Sequence, residues 1–466
     1  MSPLRGAHLV LALAACAGCS TFSSPAEFTR GLPASRGRPL SAGAYIKHVV
    51  VIIQENRTFD NFFSGYPGAD APTFGCAMGK NDNDTIAPTG TTGFGCPPGQ
   101  KQVPLRQSTF QHESNLPHSF EAAIVDWHNG HMDGFSHWGR GANLHTAAYE
   151  FIERSQVTPY WTMAQQYVLA DRMFPTEFGP SWTAHLTLVA GTDNLNPKLA
   201  LADFATGKSN CRSQPGSKTT TVDSKRVVRH SSGPYPCLNQ FNTMAEVLDT
   251  AGVSWKYYVS EKHKAFIWSP FAAIQYVYSG QDWDRNIILP QTQVLSDIAN
   301  NNLASVSWVT PSHNDSDHPG GGSDKGPSWV SSIVNAIGQS SYWDSTAIVV
   351  VWDDWGGFYD DATPPQLDFR GLGFRVPCLI ISPYAKHDVV VHTQYEFGSI
   401  IKFMREVFNL PPLGATADGY TDTRANSISD SFDFTHPARR FTVIKAKYPA
   451  EYFLHEPPSD EPVDDE

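Results

Sequence analysis

The chain has 466 residues, 41% of them hydrophobic and 17% charged, which describes a folded protein with a large core and excludes a disordered one. Its formal net charge is −12, and no basic stripe runs through it, which argues against a nucleic-acid partner.

Arg5 and His8 precede a short apolar segment, Leu9–Ala15, too short to span a bilayer, so residues 1–23 read as an export signal. Leu13-Ala14-Ala15-Cys16 resembles the lipobox of bacterial lipoproteins, which predicts membrane attachment through a lipidated Cys16. Cleavage without lipidation is the alternative, and Ala17-Gly18-Cys19 is a competing site. Export places the chain in the cell envelope, the periplasm or the medium, where cysteines oxidise. Cys76 and Cys96 bracket one loop-like insertion, at about 64–104, and Cys211 and Cys237 close a second, at about 201–237. Two local disulfides are the simplest pairing, with Cys378 in the apolar run VPCLIIS left as a buried thiol.

Residues 24–44 read as a linker rich in Pro, Gly, Ser and Arg, and a domain follows over 45–455. Ile46–Ile53 is an apolar, β-branched run, the pattern of a strand buried in a parallel sheet. It stops at Gln54-Glu55-Asn56-Arg57, where an open α/β sheet would bind its ligand. The histidine-rich stretch His112–Trp138 surrounds an expected helix; a short helix over Pro159–Gln166 and a strand over Tyr167–Met173 follow. Trp182–Gly191 reads as a helix with Ser181 as its N-cap. A helix at Gln240–Ala251, strands at Val253–Val259 and Ala304–Val309, and a Gly-rich loop, Ser312–Gly326, come next. Beyond a helix at Ser328–Ile337, the strand Thr346–Trp352 ends in Asp353-Asp354. Another strand, Arg375–Ser382, and an amphipathic helix, Tyr395–Phe408, precede an acidic tail, 456–466. Strands alternating with helices predict one α/β domain built on a mostly parallel sheet, with loop insertions.

Glu55, Asn56, Asp353 and Asp354 follow two predicted strands, and such an oxygen-rich set suits a divalent metal ion. Adjacent acids are costly to hold together unless something neutralises them, although a solvated turn explains Asp353-Asp354 equally well. Ser181 at a helix N-terminus suits a phosphate-bearing substrate, but a plain N-cap is the commoner role. His118 and His318 stand out among the histidines only because each lies beside a proline in a polar loop.

Six ordered blocks then change the weights: ENRTFDNFFSGYPG, PHSFEAA with DWHNGHMDGF, SDHPGGGSDKG, VVVWDDWGGFYDDATPP, GFRVPCLIISPYAK and HTQYEFGSIIKFMREVFNLPPL. Together they resemble the phosphoesterase family of bacterial phospholipases C and related acid phosphatases, from about Ile46 to Leu413. The resemblance implies a three-layer α/β/α sandwich of the alkaline-phosphatase-like superfamily. It implies metal ligation by Glu55, Asn56, Asp353 and Asp354, a nucleophile at Ser181, and substrate-side histidines at His118 and His318 with Asp317 beside the latter. The implied substrate is a phosphate ester, either a phospholipid or a small phosphomonoester, cleaved through a phosphoseryl intermediate. A catalytically weak, envelope-anchored binding protein is the alternative from another class.

Three positions depart from the family pattern. Asp353-Asp354 replaces Asp-Glu, Asp360-Asp361 replaces Asp-His, and Thr183-Ala184-His185 replaces Pro-Asn-Arg, which leaves His185 to stand in for an anion-binding arginine. Trp355 replaces a usually polar residue and is expected to narrow or grease the pocket; Trp127, Phe135, Trp182 and Phe358 could add to an apolar approach or belong to the core.

Overall fold

A computed structural model describes residues 41–78, 95–138, 146–203, 210–260 and 267–457. The chain divides into units at Met1–Pro39 and Leu40–Glu466, and all described residues belong to the second. The signal segment, Cys16 and the tail from 458 onward lie outside the described residues.

Nine strands form the central sheet: β1 (His48–Gln54), β2 (Val168–Phe174), β3 (Trp255–Tyr258), β4 (Ile287–Ile288), β5 (Val306–Val309), β6 (Thr346–Trp352), β7 (Val376–Ile381), β8 (Val389–Val391) and β9 (Tyr395–Glu396). Their order is β4-β3-β5-β1-β6-β7-β2-β8, with β9 also on β2. Every pairing is parallel except those of β7, which runs against both β6 and β2. Along β6 all seven residues are buried, odd and even alike, so the sheet is covered on both faces.

The cover is helical. Helices α2 (Arg154–Gln166), α5 (Gln293–Ala299), α6 (Gly326–Gly338) and α8 (Ala450–His455) pack together as one group, while α3 (Ser181–Ala190), α4 (Met244–Ala251) and α7 (Phe397–Phe408) form a second. The remaining helix that matters here, α1 (Phe120–Trp127), is capped by the Ser119 side chain. This is the expected α/β/α layering around a mostly parallel sheet.

Several boundaries differ from the sequence reading. The helix expected from Pro159 begins at Arg154, so Pro159 lies inside it and leaves one i to i−4 hydrogen bond unmade. The predicted linker gives way to ordered structure before 45: Ala42–Ala44 forms a 3-10 turn, and Gly43 lies against the backbone of Val407. The helix expected from Tyr395 starts at Phe397, after Tyr395–Glu396 has paired with β2.

Neither insertion is structureless. Phe74–Met78 pairs antiparallel with Gln100–Pro104, and Cys76 is bonded to Cys96 across the base of the excursion. The second insertion begins earlier than expected, as a four-stranded antiparallel sheet built from Asn194–Asn196, Leu199–Asp203, Thr220–Asp223 and Val228–Arg229. Cys211–Cys237 closes it, and Cys378 is a buried free thiol in β7. Apart from Leu199–Asp203, these short strands carry Gly, Gln, Lys or Thr, or are only two or three residues long, which hid them from the sequence. A chain carrying Cys211→Ser and Cys237→Ser is expected to lose about 3 kcal/mol, the loop-entropy value for a loop of this size, measured by urea unfolding.

Candidate active site

Parallel pairing of β1 with β6, from His48 opposite Thr346 to Gln54 opposite Trp352, sets the ends of both strands side by side. Glu55-Asn56 therefore meets Asp353-Asp354. Asn56 takes a left-handed backbone conformation (φ 56°), which asparagine tolerates better than most residues, and its amide donates to Asp353 Oδ1 at 2.8 Å. Gly356 follows with φ 60°, and a Cβ there would collide with the Asn56 carbonyl, so the loop after β6 can turn this closely only at glycine.

Helix α3 brings the third element. Ser181 is its first residue, not its N-cap; extended Pro180 holds that place. Ser181 Oγ lies 3.2 Å from Asp354 Oδ2 and 3.5 Å from Asn56 Oδ1, at the positive end of the helix dipole. One turn later on the same face, His185 Nε2 lies 3.0 Å from Glu55 Oε1 and 3.8 Å from Asp353 Oδ2. The Tyr257 hydroxyl gives its proton to the Trp268 carbonyl at 2.6 Å, so His185 Nδ1, 3.4 Å away, meets that hydroxyl as a donor. Nε2 then turns a lone pair toward the carboxylates. Burial lowers the His185 pKa to about 4, against an opposing pull from Asp353, so the ring is neutral near pH 7.

Glu55, His185 and Asp353 thus converge as three buried ligand-type groups. Asp353 Oδ2 is buried and has no hydrogen-bond partner among the described residues. Two carboxylates and a neutral imidazole facing one another in a dry site suit a divalent cation. His185, expected to bind the anion, faces these two carboxylates.

The histidines hold the other wall. His118 donates from Nδ1 to the Leu116 carbonyl at 2.6 Å, and its Nε2 accepts from Asn56 Nδ2 at 2.9 Å. His318 donates from Nδ1 to the Pro319 carbonyl, and its ring lies 6.1 Å from that of His118. His313, on the same loop and partly exposed, is 5.5 Å beyond His318. Asp317 turns away. Its Oδ2 accepts from the Tyr160 hydroxyl at 2.7 Å and from Trp352 Nε1 at 3.1 Å, inside the core. Its backbone carbonyl accepts from Arg57 Nε, so this residue anchors the loop and not a substrate.

Trp355 does not enter the pocket. It is 1% exposed, donates from Nε1 to Asp126 Oδ2 at 3.2 Å, and sets its ring edge-on behind His118. Phe135, Trp182 and Phe358 are likewise core. Asp360-Asp361, where a histidine was missing, joins Asp60 around the fully buried Arg375, at 2.8–3.2 Å. A guanidinium already neutralises this second acidic group, which distinguishes it from the Glu55 cluster. Sequence reasoning missed Tyr257, Asp126 and Arg375, although the last two lie within the blocks DWHNGHMDGF and GFRVPCLIISPYAK. The His185 placement had a signal in its spacing of four from Ser181.

The chain belongs to the Phosphoesterase family, whose model matches residues 46–411. It is 25% identical to phospholipase C A of Mycobacterium tuberculosis, over 84% of this chain and 78% of that one. It is 24% identical to the non-hemolytic phospholipase C of Pseudomonas aeruginosa, over 84% of this chain and 58% of that one. A solved protein of the alkaline phosphatase superfamily from Vibrio parahaemolyticus aligns with a TM-score of 0.35 and 14% identity, over 54% of this chain and 60% of its own.

Asp126 offers a test of the wall behind His118. Burial pushes its pKa from 3.8 up to about 8, partly offset by hydrogen bonds from Trp138 and Trp355. The folded state therefore holds a proton that the unfolded chain releases near pH 4, and this contribution to stability is lost as pH rises from about 4 to about 8. Asp126→Asn is expected to flatten that decline in urea midpoints measured across the same range. A decline as steep as in the wild type would place the titrating group elsewhere.

Proposed function

We propose that the chain is an exported, metal-dependent phosphoesterase of phospholipase C type that works through a phosphoseryl intermediate. The observation that carries this reading is Ser181 Oγ beside Asp354 Oδ2 at a helix N-terminus, with the buried Glu55, His185 and Asp353 group next to it. The two disulfides and the short apolar segment near the N-terminus support export.

Glu55, His185 and Asp353 would hold the cation, with Asn56 and Asp354 at its edge. A divalent ion in that position supplies charge to lower the hydroxyl pKa and to screen phosphoryl oxygens. Ser181 Oγ attacks phosphorus, and its proton passes to Asp354 Oδ2, which already faces it. The bond from phosphorus to the alcohol oxygen breaks, and the alcohol leaves with a proton from His318. His118 is occupied with Asn56 Nδ2, which it holds in place. Water then attacks phosphorus and gives a proton to His318, the bond from phosphorus to Ser181 Oγ breaks as Asp354 returns its proton to that oxygen, and the phosphate-bearing product departs.

Hydrolysis of small phosphomonoesters is a second reading, favoured by one observation. Trp182, Trp355 and Phe358 are core residues and so do not form an apolar wall for a diacylglycerol. Comparing kcat/KM for phosphatidylcholine, p-nitrophenyl phosphate and glucose phosphate separates the two, and a higher value for the sugar phosphate moves the assignment to acid phosphatase. An absence of turnover on all three, with or without added divalent metal, would leave only a binding role.

Ser181→Ala is expected to lower kcat by about 10⁴-fold or more with metal content unchanged, as for other activated nucleophiles. Asp353→Asn, by contrast, is expected to lower metal content in elemental analysis of the purified protein. Stoichiometric metal in that variant would contradict the ligand set.

A further inference from the structure

The second insertion is basic in an acidic protein. Between residues 210 and 238 it carries Arg212, Lys218, Lys225, Arg226 and Arg229 against a single acid, Asp223, while the whole chain has a net charge of −12. Its outermost hairpin joins Thr220–Asp223 to Val228–Arg229, with Val228 opposite Val222. Arg226 sits in the turn with φ 60°. Its guanidinium lies over the Trp127 ring at 4.8 Å and the Phe178 ring at 5.7 Å. It also donates to the Phe369 carbonyl at 2.8 Å and to Gln366 Oε1. Arg226 thus bolts the hairpin to the loop between β6 and β7, the same loop that begins with Asp353-Asp354.

That junction leaves two large apolar side chains in solvent: Val227 is 43% exposed beside Arg226, and Leu367 is 49% exposed beside Gln366. Lys225 and Arg229 lie two residues to either side of Val227 in the chain, both exposed, and Arg229 is 3.4 Å from Asp223 Oδ2. The patch lies at the carboxyl end of the sheet. Phe178, beneath Arg226, is three residues from Ser181.

We propose that this hairpin and loop form a docking surface for an anionic phospholipid membrane, with Val227 and Leu367 entering the headgroup layer and Lys225 and Arg229 paired with lipid phosphates. The proposal rests on the phosphoesterase reading only in giving the surface a purpose. Two exposed apolar side chains bind a membrane weakly by themselves, and basic residues supply the attraction to an anionic leaflet. Charge complementarity selects this partner over a neutral bilayer, and the attraction must weaken in salt.

The test is sedimentation of the full chain, carrying Cys16→Ser so that no acyl chain contributes, with sucrose-loaded vesicles. Vesicles of phosphatidylcholine with phosphatidylglycerol are expected to carry the protein down at low salt, and vesicles of phosphatidylcholine alone are not. Lys225→Glu with Arg229→Glu, and separately Val227→Asp with Leu367→Asp, are each expected to weaken partitioning by about tenfold or more. Turnover of a soluble ester should stay at the wild-type rate in both, which also shows that they fold. Wild-type partitioning in either double variant, or equal binding to both vesicle types, would overturn the proposal. Vesicle binding without turnover of any ester would reject the enzymatic reading and keep the surface; turnover without vesicle binding would do the reverse.

Discussion

The register between β1 and β6 is the constraint on which the site depends. Seven parallel residue pairs join segments almost 300 positions apart, and both strands stop at the same level. A slip of one residue would turn every inward side chain to the opposite face and separate Asn56 from Asp353. Because both faces are buried and apolar, the burial pattern alone does not choose the register; side-chain packing and the polar ends of the two strands do. The Asn56 amide bond to Asp353 Oδ1 then fixes the two polar ends against each other, within a loop that only a glycine at 356 lets close.

Around this point the protein buries charge on a scale that needs internal balance. Arg57, Arg370 and Arg375 are fully buried, and each has a carboxylate partner. Arg57 pairs with Glu113, lies against the rings of Phe62, Phe110 and Phe358, and reaches the Asp317 carbonyl. It therefore ties the end of β1 to the loop that carries His318. Arg370 bridges Asp193 and Asp368 beside Glu177, at the approach to Ser181. Removing any one of these guanidiniums would strand buried carboxylates, a change that costs several kcal/mol where buried pairs have been broken. The Glu55 group is the exception: it has a histidine held neutral by burial where the others have an arginine. That contrast separates the proposed cation site from groups that already contain a cation.

Much of this was legible in the chain. Ala347–Trp352 is an uninterrupted apolar run bounded by Asp353-Asp354, and its shortness and β-branched residues mark it as a buried strand with the predicted ends. The six ordered blocks carried the family, and with it the residues that gather at the sheet's carboxyl end. The disulfide pairs were legible because each closes a local loop. Strands in the insertions were not, since they are two to five residues long and most lack apolar alternation, too little for a strand pattern to show.

What the sequence determined by itself is therefore the identity of the elements: buried runs, polar strand ends, and a serine opening a helix. What only the tertiary structure decided is where the side chains of irregular segments point. Asp317 and His318 are neighbours in one loop, yet one is bound into the core by Tyr160 and Trp352 while the other faces His118. Trp355 follows the acidic pair directly and still turns behind the site to bond Asp126. His185 moved from an expected phosphate partner to a companion of Glu55 and Asp353, because the helix axis aims its face at the end of β1. Strands and helices impose a period from which direction can be read; loops impose none, and there long-range packing chooses.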